Sequence, residues 1–495
     1  MKKIVYILSV AVLSQLFVAC GNIDFGDTNE NVNGAASPYT AGLLSGAIMN
    51  YATLTGRDGL MKPTLYVQYQ SQVTYTTAMQ YEEVASSWYS YYVGSLSSLN
   101  EIIEYLKVEE NLTPAVLSQG SVANQTGVAM IMKAIIMKRV TDTWGDAPYS
   151  QAFQGTDNIE PVYDAQEDIY AAIISELKAG RDMLDATETT PTGDIIFDGD
   201  VDAWKKLANS VLLQTALQMS KVDGSASGSP ATEFKAALAH SAGVIEAVAD
   251  EAWFSFEDIS GFRNPWNQNR TPDYFMSKEF SDALKGNTAA GSLNPTSNSV
   301  LDARINVYAD DASLDGVPYG YANGTGAGAA SISNTNYWNN TTPLPLMTAS
   351  YVALNRAEAA ALGWTTEDEN ALLADGITLS YATLDAHFGT SISGDAAAYA
   401  AARALDVATE GIDAVIAEEK WVSLFGSGFD AWAEWRRTGM PSLTPATDAI
   451  NDGNIPTRYL YPTEEATLNG SNYSSAVSRL TGNGDKGTSK VWWDQ

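Results

Sequence analysis

Residues 419–439 have the sequence EKWVSLFGSGFDAWAEWRRTG. The pattern predicts one helix over 411–425 and a second over 429–437, which ends at Gly439 with Pro441 beyond it. Trp421, Trp432 and Trp435 recur at helical spacings, and such a stripe is more typical of a core than of a ligand platform. This stretch is therefore predicted to form two tryptophan-rich helices inside a helical core.

The same helical periodicity recurs on both sides of this stretch. Further predicted helices cover residues 41–54, 60–72, 82–108, 113–143, 165–186, 201–221, 230–248, 273–285, 349–362, 366–374, 378–387 and 395–405, whereas 441–495 is predicted mainly as loop. Short connections between successive helices favour antiparallel packing. The sequence thus predicts a mainly α fold, a tetratricopeptide-like superhelix of helix pairs with minor β structure, although no clean 34-residue repeat is present.

Residues 252–345 differ from the rest of the chain, and 286–345 within them are rich in Gly, Asn, Ser and Thr with aromatic residues interspersed. The alternation at 253–256 predicts one short strand, and most of 286–345 is predicted as loop. A loop-rich insertion of this length inside a compact domain is usually functional or mobile. We therefore expect the ligand site here.

Aromatic rings beside polar groups in this insertion are the candidate ligand contacts, since a ring offers a flat apolar surface to a sugar or a peptide side chain. The alternative is that these rings pin long loops to the helical body. The predicted ligand-binding residues are Arg263, Trp266, Asn267, Arg270, Tyr274, Tyr319 and Trp338 of this insertion, and Trp88 outside it.

The N-terminus has the layout of a lipoprotein leader. Lys2 and Lys3 precede an apolar run of about 15 residues, the length of a signal-peptide core, and Ala19 stands directly before Cys20, the single cysteine of the chain. The prediction is a signal peptide at 1–19, lipidation of Cys20, a flexible tether at 20–38 and a single domain at 39–495. The protein would then be exported and tethered to a membrane by acyl chains, not by a helix. An ordinary secretory leader is the alternative.

Composition restricts the class of function. The 495 residues include 28 basic and 59 acidic side chains, a formal net charge of −31, which repels nucleic acid and makes a nucleic-acid partner improbable. One cysteine excludes an intramolecular disulfide and a Cys-rich metal site. No cofactor is predicted.

Motifs for catalysis or metal binding are weak. The two histidines, His240 and His387, are far apart in sequence, so a His-based relay or a multi-His metal site is not expected. Asp198, Asp200 and Asp202 begin like a calcium loop, but the later ligands fail and a helix cap is the better interpretation. No catalytic residue and no metal ligand is therefore predicted, and the Gly324–Ala329 run is interpreted as a loop, not as a dinucleotide site.

Several motifs, taken in order, resemble one family, the SusD/RagB-like outer-membrane lipoproteins of Bacteroidetes. They are the Cys20 leader and residues 143–149 (TWGDAPY), 202–210 (DAWKKLANS), 343–364 with RAEA at 356–359, 419–439, 455–458 (IPTR) and 491–494 (VWWD). Where family members often have Asp-Pro-Arg, this chain has Asp302-Ala303-Arg304. The resemblance implies a helical fold with tetratricopeptide-like pairs, and these motifs are mostly architectural.

The resemblance also implies a lipid-anchored protein at the cell surface, in the outer membrane, with a role without catalysis. Members bind glycans or peptides and deliver them to a SusC-like, TonB-dependent transporter, for which they act as a lid. Two alternatives remain open at the level of sequence: a surface glycan hydrolase, which needs two suitably spaced carboxylates, and a helical scaffold lipoprotein without a small ligand.

Overall fold

The computed structural model describes residues 38–54, 61–268, 270–482 and 484–495. The predicted leader, Cys20 and all but the last residue of the tether lie outside these described residues. Residues Thr40–Gln495 form one compact unit. No helix among the described residues combines the length and the apolar character needed to cross a bilayer.

The described chain is mainly helical, as predicted. Helices of eight or more residues are α1 Thr40–Thr53, α2 Ser97–Tyr105, α3 Val122–Trp144, α4 Gln166–Met183, α5 Val201–Gln218, α6 Ser229–Leu238, α7 Lys278–Lys285, α8 Ala349–Ala361, α9 Glu369–Phe388, α10 Ala396–Glu410, α11 Ile412–Ser423, α12 Gly428–Thr438 and α13 Gly470–Arg479. Shorter helices are Lys62–Tyr66, Tyr89–Tyr91, Pro114–Leu117, Ile305–Tyr308 and Glu465–Leu468, with a π-helical turn at Tyr92–Leu96.

Three small antiparallel sheets of two strands each accompany the helices in the described part of the chain. The strands are β1 Gln70–Gln72, β2 Ala147–Pro148, β3 Tyr163–Asp164, β4 Ala252–Phe254, β5 Tyr274–Met276 and β6 Leu344–Met347. The pairs are β1 with β5, β2 with β3, and β4 with β6.

The helices pack as pairs, and the pairs stack. Helix α1 contacts α2, α3 contacts α4, α5 contacts α6 and α8 contacts α9, while α2–α3, α4–α5, α5–α8 and α8–α11 contacts join the pairs. The close approach of α3 and α4 depends on Gly127 and Gly180, because a Cβ at Gly127 would lie 2.7 Å from the Gly180 carbonyl oxygen. The predicted superhelix of helix pairs is therefore confirmed.

The 419–439 stretch joins three helices through a buried charge network. Lys420 of α11 and Arg437 of α12 both contact Glu358 of α8, with 2.8 Å between Arg437 Nη2 and Glu358 Oε2. Glu434 pairs with Arg437 and accepts a 2.7 Å hydrogen bond from the Tyr351 hydroxyl. The nearby cations, Arg437 first, lower the pKa of Glu358 in spite of its burial. Removal of one partner would leave an uncompensated buried charge, so this network fixes the packing of α8, α11 and α12.

A second contact set joins the same stretch to the chain's other motifs. Arg436 donates to the carbonyl oxygens of Asp142 at 2.7 Å and Thr457 at 2.8 Å. Its guanidinium lies 3.9 Å from the Trp432 ring centroid and 4.6 Å from that of Trp493. Helix α12 is thus the meeting point of three motifs or their immediate neighbours: 143–149, 455–458 and 491–494. Trp421 and Trp432 are buried, as predicted.

Several predicted helix boundaries are wrong, mostly where long-range contacts replace a local helix. The helix predicted over 60–72 ends at Tyr66, because Gln68 has a left-handed backbone (φ 59°) and β1 pairs with β5. The helix predicted over 273–285 begins only at Lys278, where the Ser277 side chain caps it, and the preceding residues form β5.

Other boundaries differ for local reasons. The helix predicted over 113–143 is broken, since Thr113 caps a single turn and Ser121 caps α3. The helix predicted from residue 82 starts at Tyr89, and the one predicted over 230–248 ends at Leu238. The two helices predicted over 366–387 are the single helix α9, and the predicted terminal loop contains α13.

Candidate functional site

The β1–β5 pair brings two separate loops together on the loop-rich side of the chain. Gln72 is the strand partner of Tyr274, and the Val73 amide donates to the Asp273 carbonyl at 2.9 Å. The loop after β1 therefore lies beside the residues that lead into β5, where Pro265–Gln268 and Thr271–Asp273 are short 3-10 helices. Antiparallel pairing fixes this arrangement although the two loops are about 200 residues apart in sequence.

Tyr75 is the most prominent aromatic side chain on this surface. Its side chain is 59% exposed, and its backbone has a positive φ of 53°. A non-glycine residue in the left-handed region is uncommon and costs free energy, and such residues concentrate at functional sites. The fold thus holds a large ring in solvent at a conformational cost.

Arg270 lies against the face of that ring. The guanidinium carbon is 4.8 Å from the Tyr75 centroid, a cation–π distance, and Nε is 2.9 Å from Oδ2 of Asp273. A hydrogen bond with Tyr75, together with the Asp273 charge, raises the pKa of Arg270 above its ordinary value. The result is an exposed ring with a permanently charged donor against one face, a pairing suited to a ligand that offers both an apolar face and hydroxyl or carbonyl acceptors.

A second exposed ring, Tyr321, is on the adjacent loop and is 44% exposed. The Thr76 hydroxyl donates to the Ala322 carbonyl at 3.0 Å, and the Ala322 amide donates to Asp448 at 2.8 Å. These bonds hold the Tyr321 loop next to the Tyr75 loop.

The Gly-rich run predicted as a loop covers β5. A Cβ at Gly326 would lie 2.1 Å from the Phe275 ring, so only glycine fits this approach. A Cβ at Gly324 would lie 3.3 Å from Val73 Cγ1, so this part of the run also approaches the loop after β1 closely. The run is therefore part of the surface around Tyr75.

Glu279, in the first turn of α7, anchors the beginning of the same loop. The Tyr319 amide donates to both of its carboxyl oxygens, at 3.2 and 3.3 Å. Burial raises the pKa of Glu279 to about 7, with Asp282 adding to the rise, while the backbone donors and Lys278 oppose it. The anchor of this loop therefore titrates near neutral pH.

A polar cluster extends the surface along the same segment. Arg263 Nε and Asn340 Nδ2 both donate to Oδ1 of Asp258 at 2.7 Å, and Asn267 donates to Asn340 at 2.9 Å. Asn267 is three residues from Arg270, so their Cα atoms are at most about 11 Å apart. We call Tyr75, Asp258, Arg263, Asn267, Arg270 and Tyr321, with Phe262 exposed beside them, the loop surface.

Five of the predicted contact residues are buried, and we correct the expectation that they present rings to a ligand. Their exposed fractions are 1% for Trp88, 2% for Trp266, 2% for Tyr274, 4% for Tyr319 and 5% for Trp338. Trp88 packs among Trp144, Tyr163 and Tyr461, and Trp266 packs against Tyr337 and Phe425. The physical reason is that these rings attach loops to the core, which was the alternative interpretation.

Arg263, Asn267 and Arg270 are the predicted residues that the structure brings to the loop surface, and their contact with ligand stays a prediction. Tyr75 was not predicted. Its sequence signal is weak, since it is one tyrosine within a polar run of Thr and Gln at 72–80. Only the later pairing of β1 with β5 makes it a neighbour of Arg270.

The other residues considered in the sequence as metal ligands or catalytic groups make structural contacts instead. Asp200 caps α5 by accepting from the Asp202 and Ala203 amides at 3.0 and 3.1 Å, as expected of a helix cap. Within the described ranges, no group of three or more His, Cys, Asp or Glu side chains is placed to hold a metal ion. His387 stacks on Trp253 with 3.9 Å between ring centroids, 3.3 Å from Glu251.

A groove of about 1030 Å³ lies on the helical side, between α2, α3 and α4. Its lining is largely apolar and includes Ile103, Leu106 and Met130, with Lys133 and Glu176 paired at 2.8 Å on its wall. Grooves between neighbouring helix pairs are a regular feature of helical superhelices. It shares no residue with the loop surface.

A helix-pair superhelix whose loop-rich side presents exposed rings beside an arginine has the architecture of a ligand-binding protein. The chain belongs to the SusD-like family: the family model described as "starch-binding associating with outer membrane" matches residues 32–462. The mainly helical fold, the carbohydrate- or nutrient-binding class and the association with the outer membrane predicted from the sequence agree with this membership. None of the curated proteins matches the chain significantly in sequence.

Solved structures share the fold. A chitin-binding protein is 24% identical with a TM-score of 0.76, and the match covers 92% of this chain and 100% of the other. A SusD homologue from Parabacteroides distasonis is 22% identical with a TM-score of 0.76, covering 92% and 97%. A chitin-binding SusD homologue from Flavobacterium johnsoniae is 20% identical with a TM-score of 0.70, again covering 92% and 97%.

Proposed function

We propose that this protein is a cell-surface lipoprotein that binds a glycan on the loop surface and delivers it to a SusC-like, TonB-dependent transporter. The observation that carries the proposal is Tyr75, a solvent-exposed ring held in a left-handed backbone with Arg270 against its face. Family membership and the chitin-binding proteins of the same fold support a glycan in preference to a peptide.

The surface suits capture followed by release. A sugar ring would stack on Tyr75 or Tyr321, while Arg270 and Asn267 donate hydrogen bonds to its hydroxyl or carbonyl oxygens. Such a shallow site orders few groups and buries a limited area, so its affinity is modest and the glycan can leave toward the transporter.

Delivery of the glycan to the transporter requires the helical body to move while the protein stays anchored to the membrane. Lipidation at Cys20 would anchor the protein to the outer membrane, and residues 20–38 would let the helical body act as a hinged lid over the transporter. The chain's polar, Gly- and Asn-containing composition in this range suits a flexible linker.

We propose a function in binding, without catalysis. Asp258 and Asp273, the acids that contact Arg263 and Arg270 on the loop surface, are engaged with these cations, whereas a glycosidase needs one carboxyl free to protonate the leaving group and a second one opposite it. A scaffold without a small ligand would not explain why Tyr75 is held exposed in a backbone conformation that costs free energy.

Calorimetric titration of the soluble domain with chito- and malto-oligosaccharides tests the proposal. Tyr75→Ala is expected to weaken binding at least tenfold, equivalent to about 1.4 kcal/mol. Tyr39→Ala is the matched control, since Tyr39 is similarly exposed, at 64%, but is outside the loop surface. Equal affinity of Tyr75→Ala and Tyr39→Ala, or release of shorter sugars during the titration, would refute the proposed function.

A further inference from the structure

The loop surface carries two arginines but no net positive charge. Arg263 is 2.7 Å from Asp258, and Arg270 is 2.9 Å from Asp273. Each guanidinium thus has its own carboxylate, and each of these contacts lies within one short segment of chain. Both arginines can donate hydrogen bonds, but neither supplies an uncompensated charge to a ligand.

Further acids surround these pairs. Glu257 is exposed next to Asp258 in the turn closed by the Phe262 carbonyl and the Glu257 amide. Asp448 is exposed and accepts from the Ala322 amide beside Tyr321. The local balance of the loop surface is therefore negative.

The rest of the molecule adds to the negative electrostatic potential at this surface, because the chain has a formal net charge of −31. A protein field of one sign attracts ligands of opposite charge and repels those of like charge over several ångströms, and salt weakens the effect. A polyanionic glycan would approach a surface on which its carboxylates or sulfates have to compete with Asp258 and Asp273 for the arginines.

We propose that the loop surface selects glycans without anionic groups and excludes those that carry uronate or sulfate. This inference rests on the proposed function, since it names the ligand class of the same site. Uncharged sugars use the ring faces and the arginine donors without disturbing the Arg263–Asp258 and Arg270–Asp273 pairs. Sugars with amino groups gain from the field in addition.

Three forms of one hexasaccharide test this selection: chitohexaose, its de-N-acetylated cationic form and its C6-oxidised carboxylate form, each titrated at 20 and 500 mM NaCl. At 20 mM the neutral form is expected to bind, the cationic form to bind at least threefold tighter, and the carboxylate form at least tenfold weaker. Both differences should shrink several-fold at 500 mM because salt screens charge. Tighter binding of the carboxylate form would overturn the inference and leave the proposed function standing, whereas absence of binding by every form of chitohexaose and by maltohexaose would overturn both.

Asp258→Asn tests the pairing directly. The amide keeps an acceptor for Arg263 and Asn340 but removes the compensating charge, so affinity for the carboxylate form should rise at least threefold relative to affinity for the neutral form at 20 mM NaCl. Glu188→Gln is the matched control, because it removes one charge from the exposed loop after α4. It should leave the affinities for the carboxylate form and for the neutral form unchanged. Identical effects of the two variants would overturn the role of the Asp258 pair.

Discussion

Glu279→Gln is expected to change the pH dependence of stability. Burial raises the pKa of Glu279 to about 7 from the ordinary value of 4.5, so the folded protein holds this proton more tightly than the unfolded chain does. Between pH 4.5 and 7 the folded state binds more protons, and stability from this group therefore falls as pH rises. It is fully present below pH 4.5 and lost above pH 7.

The magnitude follows from the two pKa values. At about 1.4 kcal/mol for each pKa unit, the difference corresponds to about 3.5 kcal/mol in all, of which about 2.5 kcal/mol develops between pH 5 and pH 8. Glutamine retains an oxygen that accepts from the Tyr319 amide, the bond that Glu279 makes in the protein, but it cannot ionise. The variant should therefore lack this part of the pH dependence.

Urea unfolding followed by tryptophan fluorescence at pH 5 and pH 8 measures the effect. The free energy of unfolding of Glu279→Gln relative to the original chain should increase by about 2.5 kcal/mol from pH 5 to pH 8. Glu188→Gln makes the same exchange at an exposed position and should differ from the original by less than about 0.5 kcal/mol at both pH values. A relative free energy for Glu279→Gln that is equal at pH 5 and pH 8 would refute the reasoning.

Three further substitutions probe the fold and the site. Trp432→Ala removes a fully buried ring whose indole N–H donates to the Pro456 carbonyl at 2.8 Å, and should cost about 3–5 kcal/mol in urea unfolding; a cost below about 1 kcal/mol would contradict the role assigned to α12. Asp200→Ala removes the cap of α5 and should cost about 1 kcal/mol in the same assay, whereas no loss would show that the cap is not formed. Tyr75→Gly suits a positive φ and should leave stability unchanged or raise it by up to about 1 kcal/mol in thermal unfolding while glycan binding falls at least tenfold; a loss of stability above about 1 kcal/mol would show that the ring serves the fold instead.

The helical core was predictable from sequence because its signals are local. Trp421 and Trp432 recur at helical spacing, and Gly439 ends α12 with a left-handed backbone as a C-cap glycine does. Such patterns identify a buried helix face without knowledge of its partner. The ion pairs of Glu358 with Lys420 and Arg437 are different, since nothing in a local pattern indicates that residues about 60 to 80 positions apart will meet.

The loop surface was only partly predictable because the exposure of a side chain in a loop depends on distant contacts. Trp266 and Tyr75 are both aromatic residues in polar segments, yet Trp266 packs against Phe425 and Tyr75 stands in solvent. Arg270 was predicted from its polar and aromatic neighbourhood, but its partner Tyr75 required the pairing of β1 with β5. Sequence gives the composition of such a surface, and tertiary pairing decides which rings face outward.

The Thr76–Ala322 and Ala322–Asp448 hydrogen bonds show how loops from three parts of the chain combine in one surface. Each bond joins segments more than 100 residues apart. Local periodicity carries no information about such contacts, and so the sequence predicted Arg270 as a contact residue but not Tyr75, which lies outside the 252–345 insertion.

Capture of the protein from its native membranes in mild detergent tests the central claim most directly. A tag after Gln495 allows recovery, and mass spectrometry identifies what is recovered with it. The proposed function predicts a SusC-like, TonB-dependent barrel in a one-to-one ratio, retained in Tyr75→Ala because that variant alters ligand binding and not the anchor. Recovery of the lipoprotein with no such barrel, under conditions in which the barrel is present in the extract, would contradict delivery to a transporter.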